Sequence, residues 1–234
     1  MRADCRRLAQ VGQGHLDAAV PPCPGWTVSS VVEHLAQVYE HKLQCTLLLR
    51  EPEPWPPAWP RDRDPILWLG DARDRLLELL AQRGPEAPSH TWFPPDQTVG
   101  FWGRRMAHET LIHRVDVELS QGPPGPIDRE LAQDGVDEVL RVCLAGDWSD
   151  APDDGARGQR VLLRTGERSW EVELLRDTVN VGAPRDAPQA ELEGEPGALL
   201  LWLWGRGSIG PLRHRGDDAA ALLLLRERLR LATQ

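Results

Sequence analysis

Clusters of proline and glycine cut the first part of the chain into short segments, and they limit its fold more than any other feature of the sequence. They lie at 20–26, 52–60 and 121–126. Proline fixes φ and has no amide hydrogen to donate, so a helix ends before each cluster. Between the clusters, apolar residues recur every three or four positions, which is typical of amphipathic helices. The pattern predicts helices over 2–20, 27–51, 66–82, 101–120 and 127–145.

The pattern changes after residue 146. Residues 147–158 are rich in glycine, aspartate and proline, as in a linker. Two segments of alternating character, 160–164 and 169–175, flank a Thr-Gly-Glu-Arg turn and predict a β-hairpin. Further strands are expected at 179–181 and 190–192, and helices at 196–204 and 217–231. The sequence therefore predicts an α+β protein of two domains, a helical domain over 1–146 and a smaller α+β domain over 147–234.

The composition excludes two classes of partner. The 234-residue chain has 27 basic and 36 acidic residues and a formal net charge of −9, whereas nucleic-acid binding requires a cationic surface. Its longest apolar runs, 198–204 and 219–225, are far shorter than the roughly 20 residues that span a bilayer. Four cysteines stand far apart, with no CxxC pair and no secretory signal at the N-terminus. We therefore expect a soluble cytoplasmic protein that binds neither nucleic acid nor a membrane.

One predicted helix carries residues that suit a metal ion. Glu109 and His113 are four positions apart, so their side chains project from one face of the helix, one turn from each other. On the second predicted helix, His34 lies among valines and leucines, and we expect it to face inward. Two imidazoles and one carboxylate would leave a fourth coordination position open, as in catalytic zinc sites. His41, two turns after His34, is the alternative ligand from that helix.

Three nearby residues complete this interpretation. Asp116 lies three positions after His113, on the same side of the helix, where it could orient the imidazole or handle a proton. His108 lies five positions before His113, about 140° round the helix, so the segment is not an HExxH motif. Cys23 lies just before a helix N-terminus, and we interpret it as a turn residue rather than a nucleophile.

Two motifs carry a resemblance to a known family. Residues 22–35 read Pro-Cys-Pro-Gly-Trp-Thr-Val-Ser-Ser-Val-Val-Glu-His-Leu, and this segment resembles the first signature of the mycothiol-dependent maleylpyruvate isomerase family. Residues 104–116 resemble its second signature, with Glu109 and His113 at the positions of metal ligands. The resemblance implies a DinB-like four-helix bundle followed by a small domain related to sterol-carrier folds. Ser30 stands where the family usually has an acidic residue, so we expect a weaker capping box there.

The resemblance also implies a chemistry. A divalent metal, expected to be zinc, would be held by His34, Glu109 and His113 and would bind mycothiol as a thiolate. The thiolate would act on a small electrophilic substrate that bears a carboxylate, either as an isomerase or as an S-transferase. The stretch that ends at Arg206 resembles the family's closing Trp-Gly-Arg element. Arg206 is therefore the candidate for pairing with the substrate carboxylate, and Asp116 is the second candidate catalytic residue.

Two other functions stay open at this point. In a metal-dependent hydrolase, the open coordination position would activate water instead of a thiol. In a binding module, the bundle would only sequester a small ligand or regulate a partner. The loops at 51–65 and 84–100 are where we expect substrate selectivity to be encoded. The substrate itself, and whether the protein is a monomer or a dimer, are not encoded in these patterns.

Overall fold

The computed structural model describes residues 1–57, 62–185, 187–216 and 219–233. The chain folds into two compact units, Met1–Gly125 and Pro126–Gln234. The first is helical and the second combines helices with a sheet, so the predicted α+β fold of two domains is confirmed. Among the described residues, the helices are all too short or too polar to cross a bilayer.

In its described residues, the first unit contains four helices, as expected for the bundle. They are α1 (Arg2–Gly12), α2 (Val28–Leu48), α3 (Pro65–Arg83) and α4 (Val99–Leu119). The main departure from the predicted limits is α1, which ends eight residues early. The chain leaves the helix there and passes Gly14, whose φ of +81° is readily adopted only by glycine.

A capping box opens α2. The Thr27 hydroxyl accepts a hydrogen bond from the Ser30 amide at 3.3 Å, and the Ser30 hydroxyl accepts one from the Thr27 amide at 3.2 Å. The capping box is therefore formed, with serine in place of the acidic residue as acceptor, and its lower strength stays a prediction. The box fixes the start of the helix that carries His34.

Helix α4 is the centre of the first unit and packs against α1, α2 and α3. Fifteen of its 21 residues are buried, so its polar side chains have to find partners inside the protein. Thr110 bonds the Tyr39 hydroxyl at 2.6 Å. Glu118 accepts from Arg7 at 2.8 Å and from the Gly125 amide at 3.0 Å. These contacts hold α4 in a fixed rotation, which determines where Glu109 and His113 point.

The described part of the second unit contains three helices, a π-helical turn and a six-stranded sheet. In chain order they are α5 (Arg129–Glu138), the π-helical turn (Val139–Leu144), β1 (Gly146–Asp147), β2 (Gln159–Thr165), β3 (Arg168–Leu174), β4 (Thr178–Gly182), β5 (Ala190–Glu193), α6 (Pro196–Leu203), β6 (Arg213–Arg215) and α7 (Ala219–Ala232). The strand order is β1-β4-β3-β2-β5-β6, and only β2 and β5 pair in parallel. The predicted hairpin is β2 and β3. The edge strands β1 and β6 were not predicted.

The predicted domain boundary at residue 146 is corrected by the structure. The units divide between Gly125 and Pro126, within the proline–glycine cluster. Helix α5 belongs to the second unit because its buried residues, among them Ala132 and Val136, pack against α6. The linker-like stretch 147–158 lies inside this unit and follows its first strand. Composition alone does not distinguish such an internal loop from an interdomain linker.

Two clusters of buried charge stabilise the second unit. Arg228, on α7, is almost fully buried, and its guanidinium donates to both carboxylate oxygens of Asp154 at 2.6 and 3.0 Å. The carboxylate of Glu171, on β3, accepts from Arg185 at 2.5 Å and pairs with Arg160 at 3.3 Å. In each cluster the buried charge is neutralised by an oppositely charged neighbour.

Candidate metal centre

Helices α2 and α4 bring His34, Glu109 and His113 together. One oxygen of the Glu109 carboxylate, Oε1, lies 3.4 Å from His34 Nε2 and 3.2 Å from His113 Nε2. The three candidate ligand atoms all lie within 4.8 Å of one another. Glu109 and His113 are adjacent because they are one helical turn apart, whereas His34 reaches them from the neighbouring helix. The three residues named from the sequence thus form one cluster.

The charged groups of the cluster stabilise one another. Burial alone would raise the pKa of Glu109, but Arg105 and the two imidazoles outweigh it and hold that pKa well below its ordinary value. Arg105 pairs with the other carboxylate oxygen, Oε2, which leaves Oε1 facing the imidazoles. Burial lowers the pKa of His113, but hydrogen bonds to Asp116 and Glu109 outweigh it and raise the pKa to about 9. The two carboxylates therefore stabilise a positive charge on His113.

Asp116 fixes the orientation of His113. Its side chain is fully buried, and Oδ2 lies 3.0 Å from His113 Nδ1. This contact directs the opposite ring nitrogen, Nε2, towards Glu109. A carboxylate behind the distal nitrogen is the usual outer partner of a histidine that ligates a metal, because it sets the tautomer and increases the basicity of the ligand.

The turn before α2 covers one side of the cluster. The Trp26 ring meets His34 edge-on, with centroids 5.1 Å apart, and stacks at 15° on His113 at 6.4 Å. Gly25 makes the turn possible with a φ of +83°. Cys23, interpreted from the sequence as a turn residue, places its sulfur 3.6 Å from Asp116 Oδ2. These contacts were not predicted, although the Cys-Pro-Gly-Trp segment that makes them stands out in the sequence.

The donors present fit a divalent metal ion. Two imidazole nitrogens and one carboxylate oxygen are the ligand types of zinc centres, and a set of three is typical of those that keep a coordination position open. His41, the alternative ligand, is not part of the group. Its ring packs against Trp55 at 4.7 Å, and its Nδ1 lies 3.0 Å from Lys42 Nζ.

Sequence comparison with protein families identifies both parts of the chain. Residues 2–118 match the mycothiol maleylpyruvate isomerase N-terminal domain, and residues 130–223 match the C-terminal domain of the same family. The chain belongs to the mycothiol-dependent maleylpyruvate isomerase family. It is accordingly an enzyme of this isomerase family. The first match ends before the division between the compact units, and the second match begins after it.

Two crystal structures share the fold of this family member. One is the mycothiol-dependent maleylpyruvate isomerase, with a TM-score of 0.59, 14% identity, and coverage of 93% of this chain and 91% of that one. The other is a histidine-to-alanine mutant of the mycothiol-dependent maleylpyruvate isomerase, with a TM-score of 0.58 and the same identity and coverage. No curated protein matches the chain significantly in sequence. At this identity the comparison establishes the shared fold.

Arg206, the remaining predicted site residue of this family member, lies in the second unit just after α6. Its guanidinium donates to the Trp204 carbonyl at 2.6 Å and lies 6.0 Å from the Trp204 ring centre. Burial and the positive charge of Arg206 lower the pKa of the neighbouring Arg226. Two arginines therefore lie close together in this unit. The catalytic role of Arg206 stays a prediction.

Proposed function

We propose that this protein is a zinc- and mycothiol-dependent isomerase that converts a small unsaturated carboxylate between its cis and trans forms. The observation that carries the proposal is the convergence of His34, Glu109 and His113 on one point, with His113 oriented by Asp116. This cluster lies in a chain whose two parts both match the maleylpyruvate isomerase family.

His34, Glu109 and His113 would hold the metal. When bound, a divalent metal lowers the pKa of a coordinated thiol, so that the thiol is a thiolate at neutral pH. Asp116 keeps the His113 ring in its tautomer, and Arg105 keeps the Glu109 carboxylate ionised. Trp26 excludes water from one side of both imidazoles. These side chains fix the geometry before any ligand arrives, which is the main contribution a protein makes to such a centre.

A thiol held at this cluster would supply reversible nucleophilic addition. Addition of its thiolate to one carbon of the substrate double bond, with the electron pair moving onto the conjugated carbonyl, would make that bond single and free to rotate. Loss of the same thiolate would restore the double bond in the other geometry, so that no thiol would be consumed and no redox partner would be required. Arg206 is proposed to pair with a substrate carboxylate through its planar guanidinium.

The direct experiment is an assay of zinc-loaded protein with maleylpyruvate, with and without catalytic mycothiol. We expect conversion to the trans isomer only when the thiol is present, with the free thiol concentration unchanged at the end. Stoichiometric loss of thiol would indicate an S-transferase instead. Cleavage of the substrate without thiol would indicate a hydrolase, and either result would refute the proposal. An Arg206→Ala variant in the same assay tests whether that residue contributes.

A further inference from the structure

The only lysine of the chain is held in a cage of three tryptophans. Lys42 lies on α2, and its ammonium is 5.4 Å from the ring centre of Trp55, 5.5 Å from that of Trp92 and 4.7 Å from that of Trp102. We call these three rings the tryptophan cage. Each ring contributes a cation–π attraction, which is strongest where water is excluded.

The cage leaves the positive charge of Lys42 without a counter-ion. Its one hydrogen-bonding neighbour is His41 Nδ1 at 3.0 Å, and no carboxylate in the described part of the chain lies within ion-pairing distance. Burial, and then the charge of Lys42, lower the pKa of His41 to about 4, so this imidazole is neutral and offers no negative charge. Lys42 is partly buried, and partly buried lysines are commonly paired with an anion.

The three rings of the tryptophan cage differ in exposure. Trp102 is buried, and its Nε1 donates to Ser89 Oγ at 3.0 Å and to the His90 carbonyl at 2.9 Å, so its ring is held in place. Trp55 and Trp92 are 50% and 49% exposed, which is unusual for indoles on a rigid bundle. They belong to the two loops in which we expected substrate selectivity, 51–65 and 84–100. Residues 58–61 of the first loop lie outside the described residues.

Lys42 follows the proposed ligand His34 by eight positions on α2, a rise of about 12 Å along the helix. Burial lowers the pKa of Lys42, and the negative charge of Glu109 is among the groups that oppose this shift, so Lys42 lies within electrostatic range of the metal cluster. The Pro57 carbonyl accepts a hydrogen bond from Gln37 Nε2 at 3.1 Å, which holds the Trp55 segment against α2.

We propose that Lys42 and the exposed faces of Trp55 and Trp92 form a binding site for the carboxylate end of a planar, unsaturated acid. The ammonium supplies the counter-charge, and the flat indole faces contact the conjugated carbon skeleton. The inference rests on the proposed function and deepens it, because it assigns carboxylate recognition at one end of the substrate to the first unit. Lys42 is thus a specificity-determining residue.

The first test compares the binding of fumarate and of fumaramide, its uncharged diamide, in the absence of thiol. Ligand-detected NMR measures both affinities for the metal-loaded protein, for Lys42→Met, for Lys42→Arg and for the control Arg83→Met. Arg83 is an exposed cation at the end of α3, so its loss changes the net charge equally. Lys42→Met should weaken fumarate binding by roughly tenfold to a hundredfold, the effect of one charge-assisted contact. Lys42→Arg and Arg83→Met should bind nearly as the parent does.

The second test needs no variant. Because Lys42 is the only lysine, acetylation by a neutral succinimidyl ester can modify only one side-chain amine, and peptide mass spectrometry follows it. Fumarate should protect Lys42 and leave the α-amino group unprotected, whereas fumaramide should protect neither. Equal fumarate affinity in Lys42→Met, equal affinity for the two probes, or no protection of Lys42 would overturn the inference. If binding depends on Lys42 but thiol-dependent isomerisation is absent, the proposed function fails and the binding site stands.

Discussion

One buried charged group from each unit shows two opposite arrangements. In the second unit, Arg228 is matched by the Asp154 carboxylate at 2.6 and 3.0 Å, and the guanidinium lies 5.0 Å from the Trp148 ring centre. In the first unit, a single oxygen of Glu109 faces two imidazole nitrogens at 3.2 and 3.4 Å. The first arrangement is a closed ion pair. The second is an open cluster whose donor atoms are directed to one point.

The closed pair and the open cluster have different consequences, the first for stability and the second for function. A closed pair satisfies its own charges and has nothing to offer a ligand, so its loss should affect folding alone. An open cluster brings together groups that compete for protons. A cation bound between these groups would stabilise them most. Burial of charge is therefore not in itself a sign of a functional site. The informative feature is whether the donor atoms of several residues converge.

The largest effect should come from the open cluster. His34→Ala or His113→Ala removes one of three ligands, so metal affinity should fall more than about a hundredfold, beyond the loss expected for an outer partner. Metal content after dialysis and competition with a chelator measure this fall. The control is His15→Ala, because His15 is exposed and outside the cluster. One full equivalent of tightly held metal in folded His34→Ala protein would show that the cluster is not the metal site.

Breaking the ion pair between Arg228 and Asp154 should have a smaller effect, on stability and not on metal binding. Asp154→Ala leaves Arg228 buried without its carboxylate and should lower the free energy of unfolding by about 3 kcal/mol, with metal content unchanged. Denaturant titration of the metal-loaded protein measures this loss. The neighbouring Asp153 pairs with exposed Arg157, so Asp153→Ala should cost much less. Equal losses in the two variants would mean that burial does not strengthen the Arg228 pair.

The smallest effect should come from the partner behind His113. Asp116→Asn keeps the shape but removes the charge, and it should weaken metal binding roughly tenfold to a hundredfold. Glu118→Gln is the matched control, since Glu118 is also a buried acid on α4 but bonds Arg7 and Gly125 instead of a ligand. It should lower stability and leave metal affinity as it was. If both variants lose metal equally, the effect belongs to the helix and not to Asp116.

The sequence was sufficient for the parts of the site that depend on helical spacing. Glu109, His113 and Asp116 share a face because of positions four and three apart, and His34 was identified by its apolar neighbours. The helices of the bundle and the β2–β3 hairpin follow from local periodicity in the same way. Local rules succeed for Glu109, His113 and Asp116 because their contacts lie within one turn of α4, and for His34 because its apolar neighbours turn it inward.

The rest depends on residues that are distant in the sequence. The contacts of Trp26 with the two imidazoles and the cage around Lys42 form only when loops fold back onto the bundle. Arg105 looked like any other arginine of α4 until its partner was known. The domain boundary was misplaced for a similar reason, because helical periodicity shows that α5 is a helix but not which unit it packs against.

The position of α4 as the last helix of the first unit has a consequence for synthesis on the ribosome. Helices α1, α2 and α3 all pack against it, so none can bury its apolar face fully until residue 119 has emerged. About 70 residues separate the end of α2 from the end of α4, which at typical elongation rates is a delay of roughly 4 to 14 s. During that interval His34, the one proposed ligand on α2, is already present in an incomplete nascent chain. Such a chain is a natural client for chaperones that bind exposed apolar helices.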